Sequence, residues 1–314
     1  MCVTCGCSDG AQTTYFQPGQ QTMDAAESHT HVLPDGSVVT HTHSETETPN
    51  HHHSHGQHPN GHHHPHPEVI DQSRQPATTH TIQPIQLSHS AQTHAQAHGT
   101  TLTLEQNLLA KNDLLAAQNR GWLKGRNVTA LNLVSSPGAG KTTLLVKTIT
   151  DLQPAIPISV IEGDQETAND AERIAATGCA TIQVNTGTGC HLEAAMIERG
   201  LETIKPPEDS LLLIENVGNL VCPALFDLGE QAKVAMLSVT EGEDKPLKYP
   251  HMFRASQAMV LTKIDLLPYV NFDVERCLAY ARQVNPDLAI FQVSAVSGAG
   301  LGDWYAWLRL QMDA

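Results

Sequence analysis

Hydrophobic and polar positions divide this chain into a patterned part and an unpatterned one. From Val128 onward, short apolar runs recur at Leu131–Val134, Ile158–Ile161, Thr181–Val184, Leu211–Ile214, Val234–Val239, Ala258–Thr262 and Ile290–Val293. Each run has the length of a buried strand, and the stretches between them carry helical spacing. Strands alternating with helices predict an α/β domain over 127–314, with a doubly wound, mostly parallel sheet of about seven strands. Just upstream, LEQNLLAKNDLLAAQNRGWL predicts a helix within 101–126, opened by a capping-box pair, Thr103 and Gln106. Leu104, Leu108, Leu115 and Trp122 share one helical face, interrupted by Lys111, with Gln106, Asp113 and Arg120 opposite. That apolar face is expected to pack on the following domain.

Residues 8–100 have neither period. They are rich in Gln, Thr, His, Pro and Gly and contain no Phe, Tyr or Trp after Phe16. Such a segment buries too little apolar surface to offset chain entropy and is expected to be disordered. Of the 19 histidines, 17 fall between His29 and His98. The densest group is His51, His52, His53, His55, His58, His62, His63, His64 and His66. Imidazole is largely neutral at pH 7 and suits nickel, zinc and copper, so the tract reads as a metal store with several weak sites. Its interruption by Ser, Pro, Asn and Thr argues against a purification tag. The chain begins MCVTCGC, and Cys2, Cys5 and Cys7 put three thiols around Gly6. Thiolates so close together suit a soft or borderline metal, with backbone nitrogen available for a square-planar nickel set. Residues 1–100 are therefore read as a metal-binding extension.

A net charge of −15 argues against a general nucleic-acid partner. No run approaches the length of a membrane span and no apolar signal segment opens the chain, so a cytoplasmic protein with no membrane association is expected. Cysteines there stay reduced, which directs them to metal or redox chemistry.

The sharpest chemistry lies in VTALNLVSSPGAGKTT, residues 128–143. A strand, a glycine-rich turn and a helix start are the context of a phosphate-binding P-loop. Ser136, Pro137, Gly138, Ala139 and Gly140 form the turn, whose backbone N–H groups and helix dipole favour phosphate. Lys141 is expected on the β- and γ-phosphates and the hydroxyl of Thr142 on Mg²⁺, with Thr143 beside them. Ser135 stands where the general pattern has Gly. Carboxylates end the next strands: Glu162-Gly163-Asp164 with Asp170 beyond, and Glu215 at the usual place of the Walker B acid. Asp164, Glu215 and Asp170 are Mg²⁺ candidates, although an acidic first helical turn accounts for Asp170 as well. Glu215-Asn216-Val217-Gly218 echoes a γ-phosphate-sensing loop. Thr262-Lys263-Ile264-Asp265 is a variant guanine motif, in which Asp265 accepts from N1–H and the exocyclic amine. Ser294-Ala295 is the short loop expected to meet guanine O6. Cys190, His191 and Cys222, on two strand-end loops, offer three borderline-soft ligands, one short of a tetrahedral set. Cys179 and Cys277 read as packing residues.

Taken in order, SSPGAGKTT, EGDQETANDA, TGTGCHL, ENVGNLVCP, TKIDLLPYV and SAVSG resemble the HypB family of hydrogenase nickel-incorporation GTPases, over roughly 102–314. The terminal cysteines and the His tract resemble extensions carried by some of its members. The resemblance implies a SIMIBI-class P-loop fold, slow Mg²⁺-dependent hydrolysis of GTP to GDP, and nucleotide- and metal-linked homodimerisation. It also implies Ni²⁺ or Zn²⁺ at Cys190, His191 and Cys222. The partners it implies are the HypA metallochaperone and the large-subunit precursor of a [NiFe] hydrogenase. On this reading Lys141, Asp164 and Glu215 carry the catalysis. No arginine finger or water-positioning glutamine stands in an expected place. Two alternatives are a urease-maturation GTPase, against which ENVGNLVCP and EGD weigh, and a nickel-storage protein whose GTP site is regulatory.

Overall fold

The computed structural model describes residues 13–18, 28–32, 38–42, 89–165 and 167–314. In chain order the elements are β1 (Thr14–Phe16), β2 (Ser28–Val32), β3 (Val38–Thr42), α1 (His89–Gly125), β4 (Val128–Ser135), α2 (Lys141–Leu152), β5 (Ile158–Asp164) and α3 (Asn169–Ala175). There follow β6 (Ala180–Asn185), α4 (Ala194–Ile204), β7 (Ser210–Glu215), β8 (Ala232–Ser238), α5 (Lys245–Lys248), α6 (Pro250–Ala255), β9 (Ala258–Thr262), α7 (Val274–Val284), β10 (Ala289–Gln292) and α8 (Leu301–Met312). Strands β2 and β3 pair as an antiparallel hairpin in a separate unit. The other eight strands form one sheet in the order β1-β6-β5-β7-β4-β8-β9-β10.

All seven strands expected from the apolar runs are present, and β4 through β10 pair in parallel. Strands β4, β7 and β8 are buried along their whole length, as continuous apolar runs covered on both faces require. Leu133, Leu144, Ile149, Leu213, Val234 and Trp304 belong to the core on one face, with helices α2 and α8. Ile161, Val184, Leu192, Ile197 and Ile214 belong to the other, with α4. This is the doubly wound P-loop architecture that the alternation predicts.

Three features depart from the sequence reading. First, Thr14–Phe16, inside the segment expected to be disordered, pairs antiparallel with β6, Thr14 opposite Asn185 and Phe16 opposite Gln183. Strands β2 and β3 and the start of α1 also fall in that segment. Second, α1 begins at His89, well before 101. Third, the face of α1 turned to the domain is Asn112, Ala116, Asn119 and Leu123, while Leu108 and Trp122 are exposed. Amides dock this helix where leucines were expected to. Asn112 donates to Asp227 O at 2.7 Å and accepts from Ala194 N at 2.9 Å. Asn119 donates to Ala194 O and Leu228 O. Asn112, with both ends of its buried amide satisfied, fixes the helix more specifically than a greasy stripe. Cys2, Cys5, Cys7 and the histidines from His51 to His66 lie outside the described residues. No helix among the described residues is long and apolar enough to cross a membrane.

Candidate functional site

A parallel sheet delivers every strand's carboxyl end to one edge, where ligands of such folds bind. Here that edge carries the P-loop after β4, Asp164 on β5, Cys190 and His191 after β6, Glu215 on β7 and Thr262 on β9. The register is direct: Leu133 lies opposite Glu215, and Glu215 opposite Glu162.

Between β4 and α2 the loop closes with Gly140 at φ 89°, a left-handed conformation that strains any residue with a β-carbon. Lys141 and Thr142, the first two residues of α2, are both buried. The Lys141 ammonium donates to Ser135 Oγ at 2.9 Å. The serine that departs from the general P-loop pattern therefore accepts a hydrogen bond from Lys141. Thr142 Oγ1 donates to Glu215 Oε1 at 2.8 Å, joining the helix start to the Walker B position. From the far side Thr262 Oγ1 donates to Ala139 O at 2.6 Å and Lys263 Nζ to Gly138 O at 2.7 Å. Lys245 Nζ reaches Ser136 Oγ and also pairs with Glu241. The loop is thus held by three elements distant in sequence.

A cleft of ≈ 480 Å³ opens over it, lined among others by Pro137, Gly138, Lys141, Thr143, Asp164, Asp170, Glu215, Gly218 and Lys263. Gly218 lies so close to Pro137 that a β-carbon there would come within 3.0–3.1 Å of it. Asp164 accepts from the backbone N and hydroxyl of Thr167, and Asp170 pairs with Arg173 at 2.9 Å in the first turn of α3. Asp265, Ser294 and Ala295 lie outside the cleft's lining, on the loops after the neighbouring strands β9 and β10. Ile264 N bonds Val293 O at 3.3 Å, which keeps these two loops side by side. Ser294 is fully buried, its hydroxyl accepting from Ser297 N at 3.0 Å.

Two carboxylates in the cleft are unusual. Glu162 and Glu215 are 3 % exposed, and one oxygen of each, Oε2, is buried without a hydrogen-bond partner. Burial, reinforced by repulsion from Glu215, Asp164 and Asp170, pushes Glu162 up to about 9 against the pull of Lys141. Burial pushes Glu215 up to about 7, opposed by Lys141 and the Thr142 hydroxyl. A divalent cation would relieve both, so this donor set fits Mg²⁺. The sequence names Glu162 only within a strand end, where Asp164 is preferred, and does not single out Arg173 or Lys245. The signal for Glu162 was available: in parallel register, a carboxylate two residues before Asp164 faces the Walker B acid.

Beside this cleft, one ligand atom each from Cys190, His191 and Cys222 lie within 4.8 Å of one another. The thiol sulfurs are 3.1 Å apart, and Cys190 Sγ is 3.6 Å from His191 Nδ1. His191 is 5 % exposed, stacks obliquely on Phe226 at 4.0 Å, and burial pushes it down to about 4. A neutral imidazole whose Nε2 is buried without a hydrogen-bond partner, next to two thiols, is a donor set for Ni²⁺ or Zn²⁺. Cys179 and Cys277 are buried among packing residues, and burial pushes their thiols up to about 11 and about 12.

The family model described as CobW/HypB/UreG, nucleotide-binding domain, matches residues 129–292. The hydrogenase maturation factor HypB of Azotobacter chroococcum mcd 1 is 57 % identical over 232 residues, covering 72 % of this chain and 76 % of that protein. The crystal structure of HypB from Archaeoglobus fulgidus superposes with a TM-score of 0.61 at 38 % identity, over 65 % of this chain and 99 % of that one. HypB from Helicobacter pylori, in a crystal structure described as a complex with nickel, gives 0.60 at 36 % identity over 65 % and 95 %.

The raised Glu162 gives a pH dependence with a defined sign. Unfolded, this side chain deprotonates near its ordinary value of 4.5; folded, it keeps its proton to about 9. Between those limits the folded state holds more protons, so its contribution to stability falls as pH rises; below the lower limit the effect vanishes. In nucleotide-free protein, Glu162→Gln should therefore gain stability over the unaltered chain progressively from about pH 5 to about pH 9, read from urea midpoints. A difference independent of pH would contradict the burial argument.

Proposed function

Because this chain belongs to the HypB family of hydrogenase maturation factors, we propose that it is a GTP-hydrolysing metallochaperone that stores nickel and delivers it to a [NiFe] hydrogenase. The observation that carries the reading is the closeness of Cys190, His191 and Cys222 at the sheet edge that also holds the P-loop cleft. The nickel complex of the Helicobacter pylori relative supports nickel as the cargo.

Hydrolysis of this kind depends on positioning and electrostatics. Backbone N–H groups of the loop 136–140, Pro137 excepted, cradle the phosphates, and Lys141, steadied by Ser135, neutralises charge on the β- and γ-phosphates. Thr142, Asp164 and Glu215 would hold Mg²⁺, with Asp170 on the rim of the set, and the ion would supply neutralisation of phosphate charge. Base choice rests on Asp265, which accepts from the guanine donor pair, aided by Thr262, Lys263, Ser294 and Ala295. Gln165 lines the cleft, but no glutamine stands in an expected water-positioning place in the sequence, and slow turnover follows. Ni²⁺ or Zn²⁺ binds Cys190, His191 and Cys222, and a second subunit completes the ligand set, making the homodimer nucleotide- and metal-linked. Cys2, Cys5, Cys7 and the His51–His66 group hold reserve nickel. HypA and the hydrogenase large-subunit precursor are the partners, in the cytoplasm.

The guanine assignment is tested by Asp265→Asn, which replaces the paired acceptor and should move preference from guanine to xanthine nucleotides. Equal turnover of ATP and GTP by the unaltered protein would refute it. Coupling is tested by nickel and zinc titration of a chain starting near Thr101, loaded with GDP or a non-hydrolysable GTP analogue. The unaltered site should differ in affinity between the two states by roughly 5–150-fold. Cys222→Ala should bind more weakly and without nucleotide preference. Equal affinities at the unaltered site would show that it does not couple the two ligands.

A further inference from the structure

Between the cleft and the thiol–imidazole cluster runs the segment Glu215–Cys222, which belongs to both: Gly218 lines the cleft and Cys222 supplies a sulfur. Two asparagines bracket Gly218 in this segment, and each grips the backbone beside His191. Asn216 Oδ1 accepts from Leu192 N at 3.2 Å and from Val217 N at 3.0 Å. Asn219 Nδ2 donates to Cys190 O at 3.2 Å, while its Oδ1 accepts from Val221 N at 2.8 Å. The peptide units before and after His191 are thus both fastened to the phosphate-facing loop, one through an acceptor and one through a donor.

The Asn216 amide cannot turn round. Only its carbonyl can accept from two backbone N–H groups, and its Nδ2 donates to Asn132 Oδ1 at 3.1 Å. Asn132 is itself held by donating to Glu230 Oε1 at 3.1 Å. Lys233, 3.7 Å from Glu230, donates to Pro223 O and Phe226 O, the loop that bears Cys222 and the ring stacked on His191. Asn132, Asn216, Glu230 and Lys233 are all buried, in a place where an unmade hydrogen bond is costly. A shift of Val217–Gly218 therefore cannot occur without moving Cys190–Leu192 or breaking one of these bonds.

We propose that Asn216 and Asn219 are the positioning residues that transmit nucleotide state to the metal cluster, Asn216 as acceptor from Leu192 and Asn219 as donor to Cys190. The inference rests on the metal–nucleotide coupling proposed above. It also makes a chemical distinction that a merely structural role would not. Asn216→Asp keeps both acceptor atoms but loses the buried donor to Asn132 Oδ1, whereas Asn219→Asp, in a partly buried place, keeps the bond from Val221 and loses only the donor to Cys190.

By reciprocity the coupling factor can be read in the full chain as the change that saturating nickel makes in the ratio of affinities for fluorescent GDP and non-hydrolysable GTP analogues. Cys222→Ala isolates the contribution of this cluster from that of the terminal cysteines and histidines. The unaltered chain is expected to show a factor of roughly 5–150. Asn219→Asp should lose a substantial part of it, and Asn216→Ala with Asn219→Asp should bring it to about 1. Asn219 is only partly buried, so its variant should fold even where Asn216→Ala does not. A second measurement needs no variant: amide exchange at Leu192 in the unaltered protein should change when the GDP analogue is replaced by a non-hydrolysable GTP analogue. A factor of 1 in the unaltered chain would defeat the coupling itself. A normal factor that survives Asn219→Asp, or a Leu192 amide indifferent to nucleotide, would overturn the assignment to these asparagines alone.

Discussion

Parallel pairing is the constraint from which the rest of this molecule follows. Each parallel strand must return through a crossover, so its carboxyl end appears at the same edge as those of its neighbours. In β5, β7 and β4 this aligns Glu162, Glu215 and Leu133, and sets the P-loop two residues beyond Leu133 within reach of both carboxylates. The same rule brings Cys190 and Cys222, which follow different strands, to a sulfur–sulfur distance of 3.1 Å. Neither cluster is local in sequence, and both are consequences of strand order.

The edge so assembled is electrostatically unfinished. Glu162 and Glu215 are buried together with one unpartnered oxygen each, and both carboxyls are held well above the ordinary carboxylate range. His191 is buried with an Nε2 that makes no hydrogen bond, 3.7 Å from Glu193 Oε1, and is held below the ordinary range. Leaving buried acceptors unmet costs roughly 1–3 kcal/mol each. Such groups persist where a ligand satisfies them, and hard oxygens on one side with sulfur and nitrogen on the other suit two different metals. The buried amide Asn216 lines the cleft, bonds to the backbone beside His191 and is held by Asn132.

The strands and the P-loop were legible because their signals are local: apolar runs of strand length, and glycines at fixed spacing before Lys141 and Thr142. The thiol–imidazole cluster was legible once its residues were recognised as strand-end loops of a parallel sheet. Helix α1 was misread for a physical reason. Counting leucines selects the face bearing Leu108 and Trp122, but the docked face is Asn112, Ala116, Asn119 and Leu123, whose amides meet backbone groups of Ala194, Asp227 and Leu228. Long-range amide bonds leave no period in a sequence. Strand β1 escaped for a similar reason, since three residues carry no alternation and their partner lies on β6. Glu162 was read as part of a strand end, while its register against Glu215 makes it part of the site.

The central claim is that Cys190, His191 and Cys222 together hold the metal cargo. X-ray absorption at the nickel edge, on a chain lacking residues 1–100 and loaded with one equivalent of nickel, tests it most directly. The account predicts sulfur scattering together with imidazole nitrogen, with sulfur reduced in Cys222→Ala and imidazole scattering lost in His191→Ala. A nickel shell of oxygen and nitrogen alone, unchanged by either substitution, would contradict it.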